Sequence, residues 1–332
     1  MRVKTNTISL VVPCYNEEAS IDAFVNEVHR VQKKLLPVNL EIIFVNDGSK
    51  DCTLARLEAI QEASPDHISY LSFSRNFGKE AAILAGLEHA HGEWVALLDA
   101  DLQHPPSLLE EMYHKLIKTD CDVVATKRRG RKGDSWLRRV LSKAYYRIAH
   151  WVSDIYIDED VRDYRLMTQQ VVQAVLTLHE RNRYSKGIFT WVGFETEYVE
   201  FDNHERLAGQ SNWSFRSLFN YALDSLTSFS ELPLTIASVI GLVTFLVAVI
   251  YGVYILASTL FFGNQTDGWP TLVLLIVGFS GLQLLCLGLL GKYIGKIFIE
   301  SKHRPMYIIK EKKLAQTTKN FVDEEQDHTK SE

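Results

Sequence analysis

Trp94-Val-Ala-Leu-Leu98-Asp99-Ala-Asp101-Leu-Gln103-His104-Pro105-Pro106 decides how this chain is read. Trp94 to Leu98 is apolar throughout, the length of one buried strand and too short for a buried helix. The strand stops on two carboxylates, Asp99 and Asp101, two positions apart. In an extended chain such residues share a side. Two like charges at a buried strand end are costly unless a cation bridges them or donors satisfy them. A hard divalent cation, Mg²⁺ or Mn²⁺, shared with phosphate oxygens meets that need. On these residues alone a solvated turn, with Asp101 capping the helix that Pro105 and Pro106 open, is the alternative.

Working outward, the same pattern recurs. Ile8–Val12, Glu41–Val45, Ile68–Phe73 and Cys121–Thr126 are short apolar runs that read as strands. Helical periodicity covers Ala19–Leu36, Thr53–Ala63, Lys79–Ala90 and the stretch from Pro105 to about Lys118, with Ser49 or Asp51 as cap for the second. Strands alternating with helices predict an α/β fold with a mainly parallel, doubly wound sheet. Ligands bind such sheets at the carboxyl ends of the strands. Four polar clusters fall there: Tyr15-Asn16-Glu17-Glu18, Asn46-Asp47-Gly48-Ser49, Arg75-Asn76-Phe77-Gly78-Lys79 and Asp99-Ala100-Asp101. Together they describe a nucleotide-binding face.

The second half of the chain changes character. Leu232 to Thr266 and Gly268 to Gly291 contain no charged residue. A membrane-spanning helix needs roughly 20 apolar residues, and Leu234–Leu256 and Pro270–Leu290 supply them. A buried helical hairpin is the alternative, but core helices seldom stay uncharged so long. The linker Phe261–Trp269 has Asp267 and no basic residue, while Lys292, Lys296, Lys302, Arg304, Lys310, Lys312 and Lys313 follow the second run. Positive charge stays inside, so both termini are expected in the cytoplasm and the linker outside. No N-terminal signal peptide is visible. Phe215, Leu218, Phe219, Ala222, Leu223, Leu226 and Phe229 form one helical apolar stripe, read as a helix in the membrane interface; packing on the catalytic domain is the alternative. The expected division is a cytoplasmic catalytic domain over 1–212, the interfacial helix over 213–231, two spans over 232–295, and a basic tail over 296–332 with a disordered end.

Cys14, Cys52, Cys121 and Cys286 have no CxxC spacing and read as reduced thiols. Lys127-Arg-Arg-Gly-Arg-Lys132 with Arg138, Arg139, Lys143 and Arg147 is a basic stretch. No nucleic-acid motif accompanies it, so nucleic acid is not expected as a partner. Anionic lipid headgroups or a lipid phosphate fit it; a solvated basic face is the plain alternative. His104 reads as a surface residue.

Taken in order, Val12-Pro13-Cys14-Tyr15-Asn16-Glu17-Glu18, Val45-Asn-Asp47-Gly-Ser49, Asn76-Phe-Gly-Lys79 and Asp99-Ala-Asp101-Leu-Gln103-His104-Pro-Pro106 resemble the inverting family 2 glycosyltransferases of GT-A fold. The resemblance is strongest to polyprenyl-phosphate glycosyltransferases, the bactoprenol glucosyltransferases above all, with dolichol-phosphate mannose synthase related. It extends through Asp163-Tyr-Arg-Leu-Met167, Lys186–Gly193, Leu290-Gly-Lys-Tyr-Ile-Gly295 and Ile299–Pro305. It implies that Pro13, Tyr15, Glu17 and Asp47 line the base and ribose pocket and that Lys79 lies close to the nucleotide. Asp99 would hold the nucleoside side, Asp101 a metal on the diphosphate, with Asp99 as a further metal ligand. Gln103 would sit near the donor sugar and Asp163 near the reacting centre. Arg206 would help bind the donor phosphates, and Arg128, Arg138 and Ser142 the acceptor phosphate. Asn212 and Lys292 depart from the family pattern, where Lys and Glu are common.

The implied reaction is inverting transfer of a hexose from a nucleotide sugar, UDP-glucose first among candidates, to polyprenyl phosphate at the cytoplasmic leaflet of a bacterial inner membrane. N-acetylglucosamine, mannose or a modified pentose are alternative sugars. A non-catalytic nucleotide-binding membrane module is the rival from another class; a processive polysaccharide synthase fits less well, since only Gln210-Ser-Asn-Trp213 stands where its Gln-x-x-Arg-Trp motif would. Because an alkyl phosphate is largely ionised near neutral pH, Asp163 is expected to orient rather than to accept a proton. A homo-oligomer is expected. Two spans are too few for a transport path, so a separate flippase and a downstream transferase are expected partners.

Overall fold

The computed structural model describes residues 6–129, 160–201, 232–262 and 268–315. These fall into two compact units, one built on a sheet and one on two long helices.

In the first unit, β1 (Thr7–Cys14), β2 (Asn39–Asn46), β3 (Ile68–Phe73) and β4 (Trp94–Leu97) alternate with α1 (Ile21–Leu35), α2 (Thr53–Ala63) and α3 (Lys79–Glu88). β1 pairs in parallel with both β2 and β4, and β2 with β3. These strands are buried on both faces, hence their unbroken Val, Ile and Leu runs. Gly86 lets α3 lie close on β1: a Cβ there would meet Val11 Cγ1 at 2.2 Å. The doubly wound, mainly parallel half of the expectation is present.

The rest of the sheet departs from it. After α4 (Leu108–Thr119) comes β5 (Val123–Arg128), but β5 does not join β4. β6 (Val161–Thr168) lies between them, antiparallel to both. Then come α5 (Gln169–Leu176), α6 (Ser185–Trp191) and β7 (Thr196–Phe201), which pairs in parallel with β5. β8 (Ile309–Lys313) pairs antiparallel with β3 at the other edge. Among the described residues the strand order is β7-β5-β6-β4-β1-β2-β3-β8. β8 falls in the stretch expected as a basic tail. Its alternating Lys side chains gave no strand signal, yet Ala315 just beyond it is fully buried and donates its N–H to Ser69 Oγ.

The second unit contains α7 (Leu232–Phe262) and α8 (Trp269–Ser301). Among the described residues one segment, Gly278–Ser301 within α8, is long and apolar enough to cross a membrane, with mean hydropathy 1.5; Val239–Tyr251 within α7 is a shorter apolar stretch. The expected interfacial helix, and Arg138, Ser142 and Arg206, lie outside the described residues.

Candidate active site

The carboxyl ends of β1, β2 and β4 and the start of α3 meet around an open cavity of about 360 Å³. Pro13, Tyr15, Glu17, Asp47, Lys79, Asp99 and Asp101 all line it, as the strand-end argument requires. Cys14, Asn76, Gly78 and Ala100, which stand in the strand-end motifs without a role of their own, line it too, as does Ala82, which no motif contains. Small and neutral residues carry no chemical signal of their own; only their neighbours mark them.

Lys79 organises the centre. As the first residue of α3 it reaches across the cavity wall, with Nζ at 2.7 Å from Asp99 Oδ1 and 3.0 Å from Asp163 Oδ2. Asp163 reaches this layer because β6 runs antiparallel. Leu97 pairs with Arg165, so two further residues set Asp99 opposite Asp163. Burial works against the Lys79 charge, but Asp99 and Asp163 outweigh it and hold the ammonium protonated far above its ordinary range. Burial likewise opposes ionisation of Asp163. Lys79, Lys186 and Arg165 overcome it and hold the carboxyl well below the usual range. From sequence, Asp163 is expected to orient through Arg165 or a neighbouring lysine; Lys186, on α6, is given no role there. Arg165 is buried, its Nε donates to the Asp163 carbonyl at 3.1 Å, and its guanidinium lies 3.9 Å from the Phe189 ring centroid. Burial lowers its pKa to about 10, which still leaves it charged.

Asp47 fixes the loop that delivers Lys79. Its carboxylate accepts the N–H of Phe77 at 2.6 Å and of Gly78 at 2.9 Å. Burial raises its pKa, and these two donors partly offset that. Gly48 is required beside it: with φ +63°, a Cβ would stand 2.3 Å from the Arg75 carbonyl carbon. On the facing loop, Ser49 Oγ accepts the N–H of Asn16 and Thr53 Oγ1 that of Glu17. Asp51 Oδ1 accepts the N–H of Thr53 at 3.1 Å, but neither it nor Ser49 is the expected cap: the N-cap of α2 is Cys52, with no side-chain cap bond.

Asp101 Oδ1 accepts the N–H of Gln103 at 3.0 Å. That contact holds Gln103 close behind the cavity, though it is not among the lining residues. Among the described residues no three His, Cys, Asp or Glu gather to hold a metal by themselves. The Asp99 carboxylate is already balanced by Lys79. The donor set fits a hard cation that brings most of its coordination from diphosphate oxygens and water, with Asp101 as its protein ligand. It does not fit a cation held by protein alone.

His104 corrects a sequence expectation. It is 8% exposed, not at the surface, and packs edge-on to Tyr164 and Phe201 with centroids at 6.3 and 5.2 Å. Burial lowers its pKa despite the nearby charges of Asp99 and Asp101. A motif position that tolerates other residues pointed to the surface, but Tyr164 of β6 and Phe201 of β7 cover it. Arg128 ends β5 away from the cavity lining, its N–H donating to the Asp160 carbonyl at 3.0 Å.

Residues 9–183 match the family model "Glycosyl transferase family 2". The chain is 44% identical to the bactoprenol glucosyl transferase of Shigella phage SfV, over 92% of this chain and 99% of that one. It is 42% identical to the putative glycosyltransferase CsbB of Bacillus subtilis, over 93% of each. Among solved structures, a mannosyltransferase from Pyrobaculum calidifontis in complex with GDP-Man and Mn²⁺ is 20% identical, with a TM-score of 0.45, covering 61% of this chain and 58% of that one. A matching family model over half of the chain, relatives above 40% identity along nearly its full length, and carboxylates gathered at the strand ends make this chain a member of glycosyl transferase family 2.

Proposed function

We propose that this chain transfers a hexose, glucose from UDP-glucose, to polyprenyl phosphate at the cytoplasmic face of a bacterial inner membrane, with inversion at the anomeric carbon. The observation that carries the reading is the strand-end cavity, in which Asp101 stands beside the Lys79 bridge between Asp99 and Asp163. The bactoprenol transferases aligned along the chain supply the acceptor class.

Tyr15, Glu17, Asp47 and Pro13 hold the base and ribose. Asp101, with Asp99 close by, holds Mg²⁺ or Mn²⁺, which would act as a Lewis acid on the leaving diphosphate. Arg206 adds charge to the donor phosphates, and Gln103 sits on the sugar side. The lipid phosphate, gripped by Arg128, Arg138 and Ser142, attacks in line. Asp163, held ionised by Lys79, Lys186 and Arg165, has little proton affinity and serves as the fixed counter-charge that orients Lys79.

Both α7 and α8 cross the membrane in this reading. Their apolar side chains face outward, Ile250 at 69%, Phe261 at 82% and Leu284 at 69% exposure, a pattern water does not tolerate over two long helices. A panel of radiolabelled UDP-glucose, UDP-N-acetylglucosamine and GDP-mannose, each with undecaprenyl phosphate and with or without chelator, tests the donor and the metal together. Label should enter the organic phase from UDP-glucose and stop when the metal is removed. Preference for another donor overturns the sugar, and full activity in chelator overturns the metal.

A further inference from the structure

The segment over 304–315, after α8, returns to the sheet. It meets the last residue of the helix that carries Lys79 and, through Phe73, the loop before its first. Ser74 donates its N–H to the Ile308 carbonyl at 3.0 Å, and β8 continues that pairing along β3. Arg181 donates to the Pro305 carbonyl at 3.2 Å. Between these anchors sits Tyr307. Its ring stacks on Phe73, centroids 4.9 Å apart and planes at 14°. Phe73 in turn meets Phe77 edge-on at 5.8 Å. The N–H groups of Phe77 and Gly78 are the pair that Asp47 accepts, and Lys79 follows directly. The Tyr307 hydroxyl donates to Glu88, the last residue of α3. One side chain therefore braces the far end of α3 and, through its stack on Phe73 and the edge contact of Phe73 with Phe77, the loop at its start.

We propose that Tyr307 is a positioning residue for Lys79, so that the segment after the second long helix is part of the active-site frame. Aromatic pairs of this geometry attract beyond their burial alone, enough to decide where a loop residue sits. The consequence is specific. A catalytic unit that lacks residues 304–315 keeps every carboxylate of the cavity and loses the brace on Lys79. The inference rests on the proposed transferase reading for its activity readout but not for its structural one.

The test uses the full-length protein in detergent or liposomes, with Tyr307→Ala, Tyr307→Phe and Lys79→Met, alone and combined. Hydrogen exchange reads the brace without any assumption about the reaction. Tyr307→Ala should speed exchange at the Phe77 and Gly78 amides at least tenfold, while Tyr307→Phe, which keeps the stack, stays within threefold of wild type. In the transfer assay Tyr307→Ala should lower kcat about tenfold with KM for the donor little changed, and Tyr307→Phe should restore most of it. In the Lys79→Met background the same Tyr307→Ala change should cost less than twofold, because residues acting through one another are not additive. Equal losses in both backgrounds, or unchanged exchange at Phe77 and Gly78, would overturn the proposal. If the wild type transfers no sugar, the transferase reading fails while the exchange data still decide the brace.

Discussion

Lys79 brings one positive charge to two carboxylates, and that balance sets what each can do. Asp163 sits so far on the ionised side that it is a carboxylate across the whole working range. Asp163→Asn is therefore expected to lower kcat about a hundredfold at every pH from 6 to 9. A defect that disappears at high pH would restore Asp163 as a general base. A different titration sits at the opposite end of the sheet. Glu41 is 2% exposed, accepts from Ser9 Oγ at 3.2 Å, and has its pKa pushed up by burial to about 7 from 4.5. Below pH 4.5 both folded and unfolded states hold the proton and nothing is lost. As pH rises to 7 the unfolded state ionises first, so the folded state loses up to about 3 kcal/mol. Glu41→Gln should remove that loss. Its stability advantage over wild type, from denaturant melts, should grow between pH 4.5 and 7 and then level off. An advantage independent of pH would contradict the burial argument.

At the scale of elements, the crossing of two loops is decided by Gly48, whose missing Cβ leaves room for the backbone of Arg75 and Asn76. Gly48→Ala is expected to destabilise by more than about 2 kcal/mol and to weaken donor binding, since strain and clash act together. Donor affinity and melting temperature both within error of wild type would refute this. The parallel strands β1 to β4 were legible because both faces are buried and each ends in a polar cluster. The cavity was legible with them: seven of the residues named from sequence line it. Asp163 was reachable only by resemblance. Its strand runs the other way, so its amino end rather than its carboxyl end enters the layer, and the strand-end rule does not see it. β8 was illegible for another reason. Ile-Lys-Glu-Lys-Lys is an edge strand whose side chains are mostly solvated, and edge strands are guarded by Lys. His104 misled because a motif position that tolerates other residues says nothing of what distant strands place over it.

For the molecule as a whole, the two uncharged runs and the strand-end cavity meet in one demand: a soluble donor and a membrane-bound acceptor must share a surface. If both long helices span, the protein stays with membranes through high salt and alkaline carbonate and leaves only in detergent; release by carbonate would refute the spans. Asn264→Cys, made with Cys52→Ser, should then react with an impermeant maleimide from outside intact cells, and labelling only after lysis would reverse the orientation. The central claim is tested most directly by purified protein in liposomes with undecaprenyl phosphate and radiolabelled UDP-glucose. The account predicts label in the organic phase with wild type and a loss of at least about a hundredfold with Asp101→Asn, as expected when transition-state charge stabilisation is removed. No lipid-linked label with wild type, or equal label with Asp101→Asn, would contradict it.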